Sequence, residues 1–348
     1  MSALGDKYGV LTPKATPTLW DIIEMVGVQA VHADSREKLE KLMKPAGLYV
    51  ERAIGDARAP RQTKKVEAKV DTLRGEEFYE RPNGQLYYAR KWGEHVDVPT
   101  LRKARETTTK AVTEKVGSPM FTLIYGEPGC GKTALVEAAF GGNVRTLIGN
   151  GDVEVSDLIG SYVPTANGGF EWVDGDLIKC ALEGSVYFID EVGLIDSKVL
   201  AFVYALMDGR RELIITQTPE RAPIIAHPNF YVVGATNPNA PGVRLSEALL
   251  SRFTVQVEMT TDWELAVKLG VHEDMVTIAQ NLHKKRVQKL VTWSPQMREL
   301  IAFRDVAKTF GTEFAIANLI SVAPEEDRAE IATMMTNGFG IQAKPAKI

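Results

Sequence analysis

The chain has 348 residues, 45% hydrophobic and 25% charged, enough for one or two domains with cores of their own. A formal net charge of −4 gives no overall pull toward nucleic acid, although it is compatible with a local basic patch. Two cysteines, Cys130 and Cys180, are too few for a disulfide scaffold and fit a reducing compartment such as the cytoplasm; the N-terminal stretch shows no leader pattern, and no apolar run approaches the ~18 residues of a membrane span.

Residues 1–95 form a weakly patterned N-terminal region. Thr18–Met25 has the start of an amphipathic helix, and the octet after Ser35 places Leu39, Leu42 and Met43 on one helical face. Glu51–Val70 is polar, slightly basic and contains Pro60, so it reads as a loop or linker. Its basic cluster (Arg58, Arg61, Lys64, Lys65) is a candidate for touching nucleic acid, but Glu51, Asp56 and Glu67 flank it and favour a solvated loop. Phe78–Lys91 has a Pro-Asn-Gly turn between aromatic runs and predicts a hairpin. Tyr87, Tyr88 and Trp92 are candidates for stacking on a base, with core packing the simpler reading. Val98–Val116 has a charged helical pattern.

From Phe121 short β-rich runs alternate with helical stretches: 121–125, 145–148, 186–190, 230–236 and 254–258. Such alternation predicts an α/β core, with a parallel sheet covered by helices on both faces. After about residue 262 the chain reads as helical, with Trp263–Leu269, Asp274–Leu290 and Pro295–Thr309 the main candidates. The expected division is therefore 1–95, a core over 96–261 and a helical unit over 262–348.

The first β-run leads into Gly126, Glu127, Pro128, Gly129, Cys130, Gly131, Lys132 and Thr133, followed by Ala134 and a predicted helix over Thr133–Phe140. This G-x-x-x-x-G-K-T pattern between strand and helix is a phosphate-binding loop. Its glycines let successive N–H groups point inward, and the helix N-terminus adds its positive dipole end. Lys132 is then positioned for the β- and γ-phosphates and Thr133 for Mg²⁺. The apolar strand Val186–Asp190 ends in an acidic pair: Asp190 suits the metal and Glu191 suits polarising an attacking water. The next strand ends in Asn237, either a γ-phosphate contact or the initiator of an Asn-Pro turn. Ser246–Phe253 is a short helix with Arg252 at its end; a lone arginine there is ordinarily a solvated surface residue.

GEPGCGKT, FIDE (188–191), GATN (234–237) and SEALLSRF together resemble the AAA+ ATPases. Asp157–Gly160, the run from Phe170 through Leu182 into the acidic strand, Leu206–Leu213 and Ile225–Pro238 are similar to the MoxR branch, and within it to the group of CbbQ, NorQ and GvpN. The resemblance covers roughly residues 97–335; RPNGQLYYARK with DVPTLRKARE also looks like the lead-in of some phage and actinobacterial members. It implies a sheet of order 5-1-4-3-2, a C-terminal helical lid, and Mg²⁺-dependent ATP hydrolysis in a homohexameric ring. Arg252 would then act on the nucleotide of the neighbouring subunit. It also implies one β-hairpin around Ser161–Val173 and a second over Leu213–Ala226, both facing substrate. The implied work is remodelling or activation of a partner protein, often beside a von Willebrand A domain.

Two departures from the family pattern bear on the site. Gln296 occupies the place of the lid arginine, and Arg298, the remaining candidate sensor, lies two residues on, about 200° round a helix. Cys130 replaces a small residue in the loop, which suggests sensitivity to thiol reagents. Arg210, Arg211 and Arg244 are candidates for a neighbour's nucleotide or plain solvated cations. His227, before Pro228, reads as structural. Two other functions fit the motifs: a DNA-acting AAA+ motor or filament, and a nucleotide-gated scaffold with little turnover.

Overall fold

The computed structural model describes residues 78–345. The helices expected at 18–25 and 36–43, the linker 51–70 and its basic cluster lie outside the described residues.

The described chain begins with two small antiparallel hairpins, β1 (Phe78–Glu80) with β2 (Leu86–Tyr88) and β3 (Lys91–Trp92) with β4 (His95–Val96). Helix α1 (Asp97–Glu114) follows, burying Val98, Leu101, Ala104, Thr108 and Ala111, one stripe at helical spacing. Lys115, in the left-handed conformation, ends it.

The central sheet has five parallel strands: β5 (Thr122–Tyr125), β6 (Val144–Ile148), β9 (Val186–Asp190), β12 (Tyr231–Thr236) and β13 (Val255–Glu258). Their spatial order is β13-β5-β12-β9-β6, which in order of appearance is 5-1-4-3-2, as the resemblance implied. All six residues of β12 are buried, and so are the first four of β9. Helices α2 (Lys132–Phe140), α4 (Asp176–Glu183), α5 (Ser197–Met207) and α6 (Glu247–Arg252) connect the strands. Crossover helices cover both faces of a parallel sheet, so its strands read as continuous apolar runs rather than alternating ones.

Two insertions interrupt the crossovers. After the short helix α3 (Val155–Ile159), β7 (Gly160–Pro164) pairs with β8 (Phe170–Asp174). Ahead of β12, β10 (Glu212–Leu213) pairs with β11 (Ile224–Ile225). Arg221, in the second loop, forms a two-pronged ion pair with Asp174 of the first hairpin, with Nη2 2.8 Å from Oδ2. The guanidinium holds the Asp174 carboxyl below its ordinary pKa. The Tyr162 hydroxyl donates to the Gln217 carbonyl at 3.3 Å, so the insertions are tied together. Phe170, Ile214 and Ile225 stay exposed on them.

Five helices follow: α7 (Trp263–Lys268), α8 (Glu273–Val287), α9 (Met297–Phe310), α10 (Thr312–Val322) and α11 (Arg328–Phe339). The last two go beyond the three main candidates read from the sequence. They bury a separate core that includes Met275, Leu282, Leu300, Phe303, Ile316, Ile320, Ile331 and Met335. Asp327 is buried and accepts from the backbone N–H groups of Thr292 and Trp293, both at 2.9 Å, which pins the loop ahead of α9. Among the described residues no helix is long and apolar enough to cross a membrane.

Candidate functional site

Parallel strands bring their C-terminal ends to one edge of the sheet, and connecting loops there form the usual ligand crevice of open α/β folds. The loop after β5, the acidic pair ending β9 and Asn237 after β12 all meet at that edge. Gly126 donates its N–H to the Thr236 carbonyl at 3.1 Å, which seats the loop on β12. A Cβ on Gly126 would lie 2.1 Å from the Met259 carbonyl oxygen, so no other residue fits. Gly131, at φ 103°, turns the chain directly into α2.

Lys132 is buried, and its ammonium donates to the Gly126 and Glu127 carbonyls at 2.9 and 3.1 Å. The Thr133 hydroxyl donates to Asp190 Oδ2 at 3.0 Å. Glu191 adopts the left-handed conformation (φ 53°), an uncommon choice for a residue with a long side chain. That turn brings its carboxylate back to accept the Asn237 N–H at 3.2 Å. Asn237 is buried, and its Oδ1 accepts from the Asn239 N–H at 3.2 Å, so its side chain does form the Asn-Pro turn.

A cleft of about 470 Å³ joins Lys132, Thr133, Asp190 and Glu191 to the lid and the first hairpin; Asn237 does not line it and reaches it through its bond to Glu191. Pro128, Gly129, Gly131, Lys132, Thr133, Ala134, Asp190 and Glu191 form its inner end. Leu265, Leu269, Met297 and Ile301 from α7 and α9 form one outer wall, and Arg81, Gln85, Leu86 and Tyr88 of the hairpin form the other. Four cations reach this cleft: Lys132, Arg298, Arg81 and Arg90. A polyanion with an apolar body suits such a lining.

The lid question is answered by where α9 begins. Gln296 is extended (φ −104°, ψ −173°) and is the N-cap of α9, so it precedes the helix, and helical phase does not set its direction relative to Arg298. Its amide is buried, accepting from the Thr261 hydroxyl at 2.5 Å and donating to Ser294. Arg298 instead lines the cleft, and its N–H donates to the Gly129 carbonyl at 3.2 Å.

Other residues of the loop face elsewhere. Glu127 forms an ion pair with Arg286 on α8, so the loop is tied directly to the lid. Cys130 is fully buried, and burial raises its thiol pKa against the lowering influence of Lys132 and Arg90. The expectation of thiol-reagent sensitivity is therefore corrected, because a buried thiol supplies little thiolate. Cys180 is also fully buried, its pKa pushed up to about 11. Native protein treated with a maleimide at neutral pH should gain little mass in the time that unfolded protein gains two adducts. Rapid single labelling of native protein would contradict this placement.

Arg252 does not line the cleft; its guanidinium lies over the Tyr204 ring on α5. Arg211 is also corrected as an interface candidate. It is buried, and its Nη2 donates to the carbonyls of His227 and Phe230 at 3.1 and 3.0 Å. Burial lowers its pKa to about 10. Arg210 is exposed, and Arg244 lines a smaller cavity beside α5. His227 is structural, its ring packed against Gly184.

Arg90 was not singled out by the sequence reading. Its Nη1 donates to the Cys130 carbonyl at 2.9 Å and the Thr260 carbonyl at 3.2 Å, joining hairpin, phosphate loop and the start of the lid. Tyr87, by contrast, is core: its hydroxyl bonds the buried Asp97 carboxylate. Tyr88 reaches the cleft, and Trp92 packs against the core. Arg90 lies inside the stretch RPNGQLYYARK that resembles a family lead-in, but nothing in that stretch gave the arginine a role of its own.

Residues 122–253 match the family described as AAA domain (dynein-related subfamily). The chain is 34% identical over 165 residues to midasin of Giardia intestinalis, covering 45% of this chain and 3% of that protein. It is 30% identical over 220 residues to protein NorQ of Paracoccus denitrificans, covering 61% of this chain and 78% of NorQ. It is 35% identical over 122 residues to the denitrification regulatory protein NirQ of Stutzerimonas stutzeri, covering 34% of this chain and 43% of NirQ. The chain thus spans only a small part of midasin but most of NorQ. With the 5-1-4-3-2 sheet, the phosphate loop and the acidic strand end, this places the chain in the AAA+ ATPases, on the MoxR-type branch with NorQ.

Proposed function

We propose that this chain binds ATP in the cleft between phosphate loop, hairpin and lid, hydrolyses it with Mg²⁺, and works as a ring that remodels or activates a partner protein. The observation that carries the reading is the Thr133–Asp190 contact of 3.0 Å, beside Lys132 and Glu191 in one cleft roofed by Arg298.

The residues present fit a magnesium nucleotide. A hydroxyl and a carboxylate oxygen this close make a hard-oxygen donor pair of the kind Mg²⁺ takes, with further positions left for phosphate and water. Mg²⁺ supplies charge neutralisation at the phosphates when bound. Lys132 exchanges two carbonyl acceptors of the loop for phosphate oxygens. Glu191, oriented by the Asn237 N–H, accepts hydrogen bonds from the attacking water and orients it; the Asn237 amide senses the γ-phosphate. Arg298 would hold the phosphates from the lid side, and Tyr88 with the apolar residues Leu265, Met297 and Ile301 would supply the surface for the base. The ties Glu127–Arg286 and Arg90–Thr260 transmit loop movement to the lid. Arg252, outside its own cleft, serves the neighbour.

The exposed Phe170, Ile214 and Ile225 on the coupled insertions support a protein substrate rather than a strand of nucleic acid, which a basic surface would serve. A von Willebrand A domain protein is the partner class that the resemblance favours.

The test is nucleotide binding and turnover. Lys132→Ala should weaken binding of a fluorescent ATP analogue about 10- to 100-fold, the range of one or two lost charge-assisted hydrogen bonds. Unchanged affinity would remove the cleft as the nucleotide site. Wild-type turnover should be indifferent to single- and double-stranded DNA. Stimulation by DNA that fades with salt would overturn the protein-remodelling reading in favour of a DNA-acting motor.

A further inference from the structure

Arg252 is held within its own subunit by a seat that the nucleotide motifs do not include. Its guanidinium carbon lies 4.6 Å from the centroid of the Tyr204 ring. Its Nη2 donates to Asp208 Oδ2 at 3.5 Å, and its Nη1 donates to the Ala248 carbonyl at 3.0 Å. Its Nε is 3.4 Å from Asp208 Oδ1 but makes no aligned hydrogen bond. Tyr204 lies near the end of α5, and Asp208 is the C-cap of that helix.

The electrostatics of this arrangement are unusual. A carboxylate at a helix C-terminus faces the negative end of the dipole, an unfavourable position. Asp208 is half exposed, and a pair as open to solvent as Asp208–Arg252 contributes little to folding. Neither term explains the placement through stability. The tyrosine is different: its ring is fixed in the core, 8% exposed, and presents its face to the guanidinium. A fixed ring and one weakly held counter-ion restrict a long side chain to one direction while leaving it free to exchange its anion.

We propose that Tyr204 and Asp208 are positioning residues for Arg252. The Tyr204 ring sets the direction of the guanidinium, and Asp208 is the anion that the neighbour's γ-phosphate displaces. This rests on the reading of Arg252 as acting across the subunit boundary. Tyr204 needs only its ring for this role, since the ring face makes the contact with the guanidinium while the buried hydroxyl lies beside Ser246.

The experiment compares steady-state ATP turnover of Tyr204→Leu, Tyr204→Phe and Asp208→Asn, alone and combined with Arg252→Ala. Tyr204→Leu should lower kcat roughly tenfold with KM for ATP unchanged, the scale of one well-formed cation–π contact. Tyr204→Phe should restore wild-type kcat, which a loss through misfolding would not require. Asp208→Asn should lower kcat by roughly threefold, and it keeps the test open if Tyr204→Leu does not fold. In the Arg252→Ala background none of these changes should matter. In rings mixed from Lys132→Ala and Arg252→Ala subunits, Tyr204→Leu should lower the recovered activity roughly tenfold, and only when carried by the subunit that retains Arg252. Wild-type kcat in both Tyr204→Leu and Asp208→Asn, or losses that add fully to that of Arg252→Ala, would overturn the proposal. If Arg252→Ala itself turns over normally, the trans-acting reading fails instead, and the two failures are told apart by that single variant.

Discussion

Glu191→Gln should abolish steady-state ATP hydrolysis while leaving ATP binding within about twofold of wild type. The amide has the same shape, and its oxygen still accepts the Asn237 N–H that sets the position of the side chain. What it loses is the negative charge proposed to polarise the attacking water, a contribution of about 10²–10⁴ in rate for a positioned general base. Thr133, Asp190 and Lys132 are untouched, so the phosphate and metal contacts persist. Phosphate release and titration with a fluorescent nucleotide separate the two quantities. Turnover equal to wild type would remove Glu191 from catalysis. A wild-type chain that binds ATP with negligible turnover, and whose ring is indifferent to this substitution, would point to a nucleotide-gated scaffold.

Arg252→Ala should lower kcat by about 10³ or more, the scale of an arginine that stabilises charge on a transferring phosphoryl group. Affinity for ATP should change little, because Arg252 is absent from the cleft of its own subunit. The stronger test mixes two inactive proteins. Lys132→Ala subunits retain Arg252 but lack a working cleft; Arg252→Ala subunits have the converse defect. Mixed rings should recover part of the activity, since one boundary type then carries both groups. Recovery of nothing, with mixed rings verified by mass, would argue that Arg252 does not act across a boundary. Dilution below the dissociation constant of the ring should likewise reduce turnover per subunit.

Much of this architecture is local in origin. The phosphate loop is a short segment whose glycines, lysine and threonine work at fixed spacing, so Gly126–Thr133 was legible without any tertiary information. The central strands β5, β9 and β12 were legible because burial on both faces makes each one a continuous apolar run, whereas the edge strands β6 and β13 are only partly buried and were marked by β-rich composition alone. The acidic pair Asp190–Glu191 followed from its place at the end of such a run. Strand order was not readable from periodicity; it came from the resemblance, and the sheet has that order.

Where the reading went astray, a partner distant in sequence made the difference. Cys130 sits in the loop expected to be open, yet core packing around β5 and α2 buries it. Arg211 follows exposed Arg210 in a charged stretch, yet its side chain passes over Phe121 and Phe230 and bonds two carbonyls. Gln296 and Arg298 differ by two positions, and only the start of α9 at Met297 decides that one caps the helix and the other faces the loop. Arg90 gains its meaning from Cys130 and Thr260, 40 and 170 residues away. The sequence by itself thus determined the strands of the sheet, the first three helices of the C-terminal unit and the phosphate-loop pattern, because spacing and apolar periodicity are short-range properties. Tertiary structure alone decided which charged side chains reach the cleft, which are buried and which face outward, because burial and ion pairing depend on the elements packed against each residue.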